Sequence, residues 1–359
     1  MRQQGVKMKK NPFAARLEQF RESVISRGLD AALVSSPANV RALTGVECDS
    51  ATLLLSPAKT IFYTDFRYVP AVERLAPYLE IGDILKFRSK RSLSVKGCRF
   101  EKIGFESSIS CAAFERFRKV FPKAEFVDVE GEISSARAVK TPEEIEIVRK
   151  AAALNDEVWR IAQAQFKPGM TERDMARIIK HAMLDLGDGE AFETIVCVGE
   201  NAAECHHIPD DTKWDGKKNI LVDMGIKYRG YASDMTRNIF GSRMSKLYKK
   251  VYGLVLEANM RAIEAAKPGM TAKSLDKVAR DFLEVNGFGK AFGHSLGHGV
   301  GLEVHENPTI SHRANTRLEP GMIITIEPGV YLPGNLGVRI EDLVLITENG
   351  CEVLSSSAK

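Results

Sequence analysis

The chain contains 359 residues, of which 44% are hydrophobic and 27% are charged. This length allows two domains of ordinary size, and the composition is typical of a globular enzyme rather than a disordered or fibrous chain. The formal net charge is only +4, and the Lys and Arg residues are scattered. We therefore expect neither nucleic acid nor a membrane surface as a partner.

Two features predict a cytoplasmic location. Residues 1–10 are basic but have no apolar segment of the kind found in a secretory signal, and no uninterrupted apolar stretch is long enough to span a bilayer. The cysteines show no C-x-x-C pairing, so we expect reduced, mostly buried thiols. They are Cys48, Cys98, Cys111, Cys197, Cys205 and Cys351.

The N-terminal third alternates strand-like and helical patterns. Strands are predicted at 31–34, 51–55, 60–64 and 102–105, and helices at 13–27, 68–75 and 112–121, with a loop at 35–37. This pattern predicts an α/β domain over residues 1–131. Because no set of ligand-type residues stands out in it, we expect a scaffold or oligomerisation domain.

A second domain, residues 132–359, is predicted to contain a strong helix start. Thr141 can cap that helix, Pro142 suits its first position, and Glu144 completes a capping box. Hydrophobic residues then recur with a period close to 3.6 until the segment KPG at 167–169 ends the helix.

The second domain repeats part of its own sequence. The pentapeptide KPGMT occurs at 167–171 and again at 267–271, and in each copy the threonine is the predicted N-cap of the next helix. The offset of one hundred residues persists in GEAF at 189–192 and GKAF at 289–292. We therefore predict two pseudo-symmetric α/β halves with the functional site where they meet.

Each half carries two carboxylates at the ends of hydrophobic strand-like runs. Asp223 ends the run ILVD, Glu327 ends the run IITIE, and Asp234 and Glu341 follow eleven and fourteen residues later. Turns predicted at 225–230, and through the Pro-Gly pairs at 328–329 and 333–334, would bring each pair together. A buried carboxylate is costly unless a cation neutralises it. The four acids therefore predict a site for two divalent ions.

Carboxylate oxygens with a single imidazole suit Mn²⁺, Co²⁺, Fe²⁺ or Zn²⁺, and we expect Mn²⁺ first. Two such ions, roughly 3.5–4 Å apart, can activate a water molecule and polarise a carbonyl. One such acid alone is more often a turn or salt-bridge residue. Four of them at matching strand ends favour a dinuclear metallohydrolase.

Six of the seven histidines lie between positions 206 and 312, which favours a site in the second domain. His294 and His298 have the spacing of a helical zinc motif, but the surrounding glycines and the absence of Glu after His294 argue against one. We expect a glycine-rich loop or strand close to the metals instead. His305 is either an active-site donor or a structural histidine. One of His206 and His207 is expected to contact substrate, and the other to be structural or exposed.

These motifs resemble the pita-bread metallopeptidase family of Xaa-Pro aminopeptidases, Xaa-Pro dipeptidases (prolidases) and methionine aminopeptidases, from about Ala136 onward. The resemblance implies an α/β (α+β) chain with a pseudo-two-fold pita-bread catalytic domain. The segments NVRALTG at 39–45 and YTDFRY at 63–68 resemble the creatinase/prolidase-type N-terminal domain, which methionine aminopeptidases lack. Creatinase shares the fold but lacks the metal ligands, so it is disfavoured.

The resemblance also implies roles for individual residues. The ligands would be Asp223, Asp234, His298, Glu327 and Glu341, with Asp234 and Glu341 bridging both ions. The catalytic residues would include His206 at the substrate carbonyl, His305 at the tetrahedral intermediate and His294 in the substrate cleft. Glu327 would also accept a proton from the nucleophilic water, and Arg339 would support the site beside Glu341.

The substrate implied by the resemblance is a peptide with proline at the second position. Prolidases often have an Arg four residues after the histidine matching His305, where it binds the free carboxylate of a dipeptide. Here that residue is Thr309, which cannot form a bidentate ion pair. We therefore predict an Xaa-Pro aminopeptidase. An Xaa-Pro dipeptidase is the alternative because Arg313 lies nearby.

Three further expectations concern Cys205, catalytic activity and the oligomeric state. Cys205 replaces the proline that many relatives have before His206, with an effect that the sequence does not specify. A non-catalytic peptide-binding module is a remote alternative, disfavoured because all five ligands are present. The protein is predicted to be a homodimer, as relatives commonly are.

Overall fold

The computed structural model of the protein describes residues 11–89 and 100–359. These residues form two compact units that divide after Arg137. The predicted domain boundary at 131–132 falls inside the helix Glu130–Ala138. Residues 1–10 and Cys98 lie outside the described residues, so what was predicted for them stays a prediction.

The first unit contains one six-stranded sheet and the helices that cover it. The strands are β1 (Ala31–Val34), β2 (Thr52–Leu55), β3 (Thr60–Thr64), β4 (Glu80–Asp83), β5 (Lys102–Phe105) and β6 (Glu125–Asp128). The helices are α1 (Pro12–Ser26), α2 (Pro37–Thr44), α3 (Val69–Leu75), α4 (Ile84–Ser89), α5 (Cys111–Val120) and α6 (Glu130–Ala138). The strand order is β4-β3-β2-β1-β5-β6, with β2 antiparallel to both neighbours and the other pairs parallel.

Both faces of this sheet are buried, which explains its uninterrupted apolar strands. Along β1, Ala32 and Val34 pack in the same core as Phe20 of α1. Leu33, which points to the other face, packs with Phe117 of α5. The predicted strands and helices of this unit are confirmed to within one residue at each end. The predicted loop at 35–37 is wrong at its last residue, because the proline there begins α2.

The second unit carries the internal repeat. Its helices are α7 (Pro142–Gln165), α8 (Glu172–Leu186), α9 (Lys246–Ala265) and α10 (Ala272–Val285). Its strands are β7 (Gly189–Glu190), β8 (Ile195–Val198), β9 (Ile220–Met224), β10 (Ile226–Tyr228), β11 (Tyr231–Ala232), β12 (Met235–Ile239), β13 (Gly297–Gly299), β14 (Glu306–Ile310), β15 (Ile323–Ile326), β16 (Gly329–Leu332), β17 (Leu336–Arg339), β18 (Asp342–Ile346) and β19 (Cys351–Val353).

Each half of this unit packs a helix pair against a sheet. In the first half α7 and α8 share a core with the sheet β12-β9-β8, including Met175 and Val222. In the second half α9 and α10 share a core with the sheet β14-β13-β15-β18-β19, including Leu275 and Ile324. β7, β10 and β11 form a separate small sheet, and β16 pairs with β17.

Matching hydrogen bonds confirm the two-fold repeat. Thr171 caps α8 and Thr271 caps α10, each accepting from the backbone N–H three residues on. The Asn155 amide of α7 donates to the carbonyl of Met224 at the end of β9. In the same way, the Asn259 amide of α9 donates to the carbonyl of Ile326 at the end of β15. The predicted capping box at the start of α7 is also present.

Five cysteines within the described residues are free thiols. Cys48 and Cys197 are buried, and burial raises the pKa of both thiols. Cys111 is exposed, so the expectation of mostly buried thiols holds only in part. No helix in the described ranges combines the length and apolar composition needed to cross a bilayer.

Candidate metal centre and active site

The first pair of acids lies on neighbouring strands. Asp223 is in β9, and Asp234 immediately precedes β12, which runs antiparallel to β9. The register pairs Asp223 with Thr236 rather than with Asp234, so the two acids are diagonal neighbours and not opposite each other as predicted. The turn that joins β10 to β11 contains Arg229 and Gly230, both with positive φ.

The second pair of acids is held in the same manner. Glu327 directly follows β15 and Glu341 directly precedes β18, and these strands pair through Ile326 and Asp342. The predicted turn at 333–334 is confirmed, since it joins β16 to β17. The Pro-Gly pair at 328–329 is not a turn, because Gly329 already belongs to β16.

His298 lies in the short strand β13 between two glycines, and a residue with a side chain would clash at either glycine position. A Cβ at Gly297 would lie 2.1 Å from the carbonyl oxygen of Thr325, and one at Gly299 would lie 2.3 Å from that of Asn307. The glycines thus let β13 pass close to β14 and β15. The expectation of a glycine-rich strand instead of a zinc-binding helix is confirmed.

The structure brings the predicted ligands from both halves together. The Nε2 atom of His298 lies 3.3 Å from a Glu327 oxygen and 3.7 Å from an Asp234 oxygen. Ligand atoms of Asp234, His298 and Glu341 all lie within 4.8 Å of one another. The Nδ1 atom of His298 lies 3.1 Å from the Gly299 carbonyl. If Nδ1 donates there, Nε2 is left with a lone pair directed at the acids, as a metal ligand requires.

Burial and crowding dominate the electrostatics of this cluster. The pKa values of Asp223, Asp234 and Glu341 are raised, first by desolvation and then by the neighbouring carboxylates. Burial also acts to raise the pKa of Glu327, but the hydrogen bond and charge of His298, together with the charges of His294 and Arg339, outweigh burial and lower the net pKa. The acids therefore repel one another when no cation lies among them.

The donor set fits a pair of divalent cations. Among the described residues, the buried Oδ1 atoms of Asp223 and Asp234 have no hydrogen-bond partner. Native structures leave few buried polar atoms without a partner, so such atoms call for a ligand. Four carboxylates balance the charge of two divalent ions, and hard oxygens with one imidazole match the predicted metals.

Arg339 connects the acids to the neighbouring hydroxyl groups of Tyr331 and Thr236. Its guanidinium donates to Asp223 Oδ2 at 2.7 Å, to the Tyr331 hydroxyl at 2.8 Å and to Thr236 Oγ1 at 3.0 Å. Thr236 in turn donates to Glu341 at 2.6 Å. The prediction placed Arg339 beside Glu341. The structure links the two side chains indirectly, because Thr236 accepts from Arg339 and donates to Glu341.

Sequence reasoning missed the polar residues that orient the acids. Thr236 and Thr325 are completely buried, and Thr325 Oγ1 accepts from the His298 N–H and donates to Glu327. For Thr325 the signal was a threonine inside the otherwise apolar strand β15, two residues before a carboxylate. Thr236 gave a weaker signal, because its strand β12 also contains an arginine and an asparagine. Tyr331 carried no comparable signal, because an aromatic residue in a strand usually packs in a core.

The other predicted histidines differ in what they contact and in how far they are buried. The Nε2 atom of His294 lies 3.0 Å from the Tyr331 hydroxyl, and burial lowers the pKa of His294. The His305 ring centroid lies 4.2 Å from that of His298. Desolvation and the nearby charges of His298 and His206 lower the pKa of His305. His206 itself is exposed.

His207 belongs to a second group of metal-type ligands, with Glu172 and Asp210. Here the carboxylates are already occupied. Glu172 accepts hydrogen bonds from backbone and side-chain donors, and Asp210 Oδ1 accepts from the Thr212 N–H. We therefore interpret this group as a hydrogen-bonded cluster and not as a metal site.

A two-half α/β domain with buried carboxylates and a histidine at its centre is typical of metal-dependent hydrolases. Comparison with known proteins places the chain in the same class. The sequence pattern of metallopeptidase family M24 matches residues 146–348. That of the creatinase/prolidase N-terminal domain matches residues 16–139. The chain belongs to metallopeptidase family M24 and carries the N-terminal domain of the creatinase/prolidase type.

Individual relatives match over nearly the whole chain. An Xaa-Pro dipeptidase of Pyrococcus furiosus is 36% identical, covering 96% of this chain and 98% of its own length. The structure of an Xaa-Pro dipeptidase from Bacillus anthracis has a TM-score of 0.90 at 33% identity, covering 97% of this chain and 98% of that one. The structure of an X-Pro aminopeptidase from Thermotoga maritima has a TM-score of 0.82 at 33% identity, covering 94% and 98%. The predicted pita-bread fold is confirmed.

Proposed function

We propose that this metallopeptidase hydrolyses the peptide bond between an N-terminal residue and a following proline, and that Xaa-Pro dipeptides are its main substrates. Several similar proteins are named Xaa-Pro dipeptidase or prolidase, which favours the dipeptidase over the aminopeptidase predicted first, although one similar structure is that of an X-Pro aminopeptidase. The observation that carries the proposal is the cluster of Asp234, His298 and Glu341, whose ligand atoms all lie within 4.8 Å of one another, with Glu327 beside His298. Among the described residues, the buried Oδ1 atoms of Asp223 and Asp234 also have no hydrogen-bond partner.

In this proposal Asp223, Asp234, His298, Glu327 and Glu341 hold two divalent ions, with Mn²⁺ as the first candidate. Such a pair lowers the pKa of water and polarises the scissile carbonyl. The protein's own part is to keep the ligands in place. Arg339 orients Asp223, and hydrogen bonds from Thr325 and Thr236 orient Glu327 and Glu341 respectively.

The remaining roles concern protons and the developing charge. Glu327 is proposed to accept a proton from the attacking water and then to deliver it to the proline nitrogen. His305 and His206 are proposed to stabilise the negative charge that develops on the carbonyl oxygen. His294, held by Tyr331, is proposed to line the cleft.

A second candidate function is the Xaa-Pro aminopeptidase that accepts longer peptides. Thr309 favours it, because this exposed residue of β14 offers a neutral hydroxyl where prolidases often have an arginine. A dipeptidase would need another cation, such as Arg313, to bind the carboxylate. A homodimer remains part of the proposal and is supported only by the resemblance, whereas a cytoplasmic location rests on the sequence features that predict it.

The experiment compares peptides of increasing length with metal-depleted protein resupplied with Mn²⁺, Co²⁺ or Zn²⁺. Ala-Pro, Ala-Pro-Ala and Ala-Pro-Ala-Ala are the substrates, and Ala-Ala is the matched control without proline. We expect metal-dependent release of alanine, fastest from Ala-Pro. Faster cleavage of the tetrapeptide would favour the aminopeptidase instead. Equal cleavage of Ala-Ala would contradict proline specificity.

A further inference from the structure

The loop that carries His206 has little regular structure of its own. It runs from the single 3₁₀ turn Gly199–Ala203 to the start of β9. His206 is exposed at this position. A histidine on such a loop can act at a defined point only if other residues fix the loop.

One buried carboxylate, that of Glu172, contacts this loop at Asn201, His207 and Asp210. Glu172, in the first turn of α8, is completely buried. Its Oε1 atom accepts from the Val198 N–H at 2.7 Å and from the Asn201 amide at 2.9 Å. Its Oε2 atom accepts from the Asp210 N–H at 3.1 Å and lies 2.7 Å from His207 Nε2. The donors come from both sides of His206.

The neighbours of His206 in the chain are therefore both fixed. His207 is bound to Glu172, and its side chain is only 10% exposed. On the other side, the Arg339 guanidinium lies 3.4 Å from the Cys205 carbonyl oxygen and donates to it. Arg339 also contacts Asp223 in the metal centre. The backbone at His206 is thus anchored to helix α8 and to the metal centre at once.

We propose that Glu172, together with His207, is a positioning residue that holds His206 at the substrate. This inference rests on the proposed function, in which His206 stabilises charge on the carbonyl. The physical reason is that an ionised carboxylate offers four acceptor sites, and here four donors converge on it, one at the end of β8 and three in the loop. A glutamine at position 172 would direct its own amide N–H group toward these donors and could not accept from all of them.

The second half of the domain holds a histidine segment by the same means. Asp276 of α10 is completely buried and accepts from the Leu296 N–H and from Arg280. Arg280 donates to the carbonyls of Phe292 and His294. Each half therefore uses a buried acid near the start of its second helix to fix a histidine segment, which supports a positioning role.

The first test needs no enzymatic activity. Hydrogen exchange of the peptides covering 199–212 is measured by mass spectrometry in wild type, Glu172→Gln and Asp174→Asn. The control makes the same acid-to-amide change two residues away, at a cap that does not contact the loop. We expect faster exchange across 199–212 in Glu172→Gln only. Exchange equal to wild type would overturn the proposal.

The second test asks whether Glu172 acts through His206. The kcat for Ala-Pro is compared in wild type, Glu172→Gln, His206→Ala and the double variant, each loaded with Mn²⁺. We expect Glu172→Gln to lower kcat by about tenfold in the wild-type background and by less than about twofold in the His206→Ala background. Equal factors in both backgrounds would mean a general structural role and would overturn the proposal.

Two further measurements keep the tests separable. If Glu172→Gln does not fold, His207→Phe breaks the same contact from the loop side and is expected to give the same two results. Metal analysis is expected to find two ions per chain in every folded variant. A third ion would mean that the Glu172 cluster binds metal and would overturn the proposal. If wild type cleaves no proline peptide, the proposed function fails, while the exchange experiment still decides whether Glu172 fixes the loop.

Discussion

Arg339 and Asp223, which are 116 residues apart in sequence, form a 2.7 Å ion pair at the meeting point of the two halves. The same guanidinium contacts Tyr331 and Thr236. It therefore neutralises one acid of the proposed metal centre while orienting the groups around two others. Residues of this kind set metal affinity without binding the metal.

Replacing Arg339 by Lys should weaken metal binding. The three contacts of Arg339 come from three separate guanidinium nitrogens, and the donors of a lysine share a single nitrogen that cannot reach all three acceptors, so Asp223 loses its orientation. We expect the affinity for Mn²⁺ to fall by about 10–100-fold, as measured by titration calorimetry. Arg317→Lys is the matched control, because Arg317 is exposed and donates to a backbone carbonyl away from the site. Unchanged affinity in Arg339→Lys would contradict the role.

Replacing His298 by Ala should abolish metal-dependent turnover. The change removes the only imidazole of the proposed ligand set, and we expect kcat to fall by roughly 10³-fold. His181→Ala is the control, since His181 is an exposed residue of α8 that has no role in the proposed site. If His298→Ala retained full manganese-dependent activity, the proposed ligand set would be wrong.

The metal-depleted protein should lose stability as the pH rises. The folded-state pKa values of Asp223, Asp234 and Glu341 are raised, so the folded protein holds protons that the unfolded chain releases above about pH 4. That stability is present at low pH and is lost as the pH rises toward the folded pKa values. Metal binding displaces these protons, so its stabilising effect grows with pH.

The check is the melting temperature between pH 5 and pH 8, with chelator and with Mn²⁺. We expect the chelated wild type to melt at lower temperature as the pH rises. Asp234→Asn, which cannot ionise, should show a weaker dependence. A chelated wild type whose melting temperature rose in parallel with that of Asp234→Asn would refute the electrostatic account.

Replacing Gly297 by Ala should disturb the metal centre through the backbone. The added Cβ would meet the Thr325 carbonyl at 2.1 Å and push β13 away from β15. We expect a loss of about 1–3 kcal/mol in the free energy of unfolding, together with weaker Mn²⁺ binding. In the control Gly253→Ala, on α9, the Cβ meets no atom within 4 Å, and a gain of about 0.5–1 kcal/mol is expected. Denaturant titration measures both.

Replacing Thr309 by Arg should shift the substrate preference toward dipeptides. A guanidinium on β14, four residues after His305, can bind the free carboxylate of Ala-Pro. We expect a lower KM for Ala-Pro and little change for Ala-Pro-Ala-Ala. Thr309→Gln, of similar reach but uncharged, is the control. The same KM change in both variants would show that charge is not the cause.

Much of this architecture could be predicted from local sequence. Thr141, Pro142 and Glu144 predict the start of α7 because a capping box involves only neighbouring residues, and it is present. The repeated KPGMT segments predict two similar halves, since each segment ends one helix and caps the next. The acids were found because a carboxylate at the end of a buried strand is rare without a partner.

Only the tertiary structure decided which side chains meet. Thr236 could not be assigned to Glu341, nor Glu172 to His207, from sequence, because these contacts span 105 and 35 residues. The diagonal placement of Asp223 and Asp234 also depends on strand register, which the hydrophobic pattern fixes only to alternate residues. Local patterns determine the elements and the kind of chemistry, whereas the packing of the two halves determines the geometry of the site.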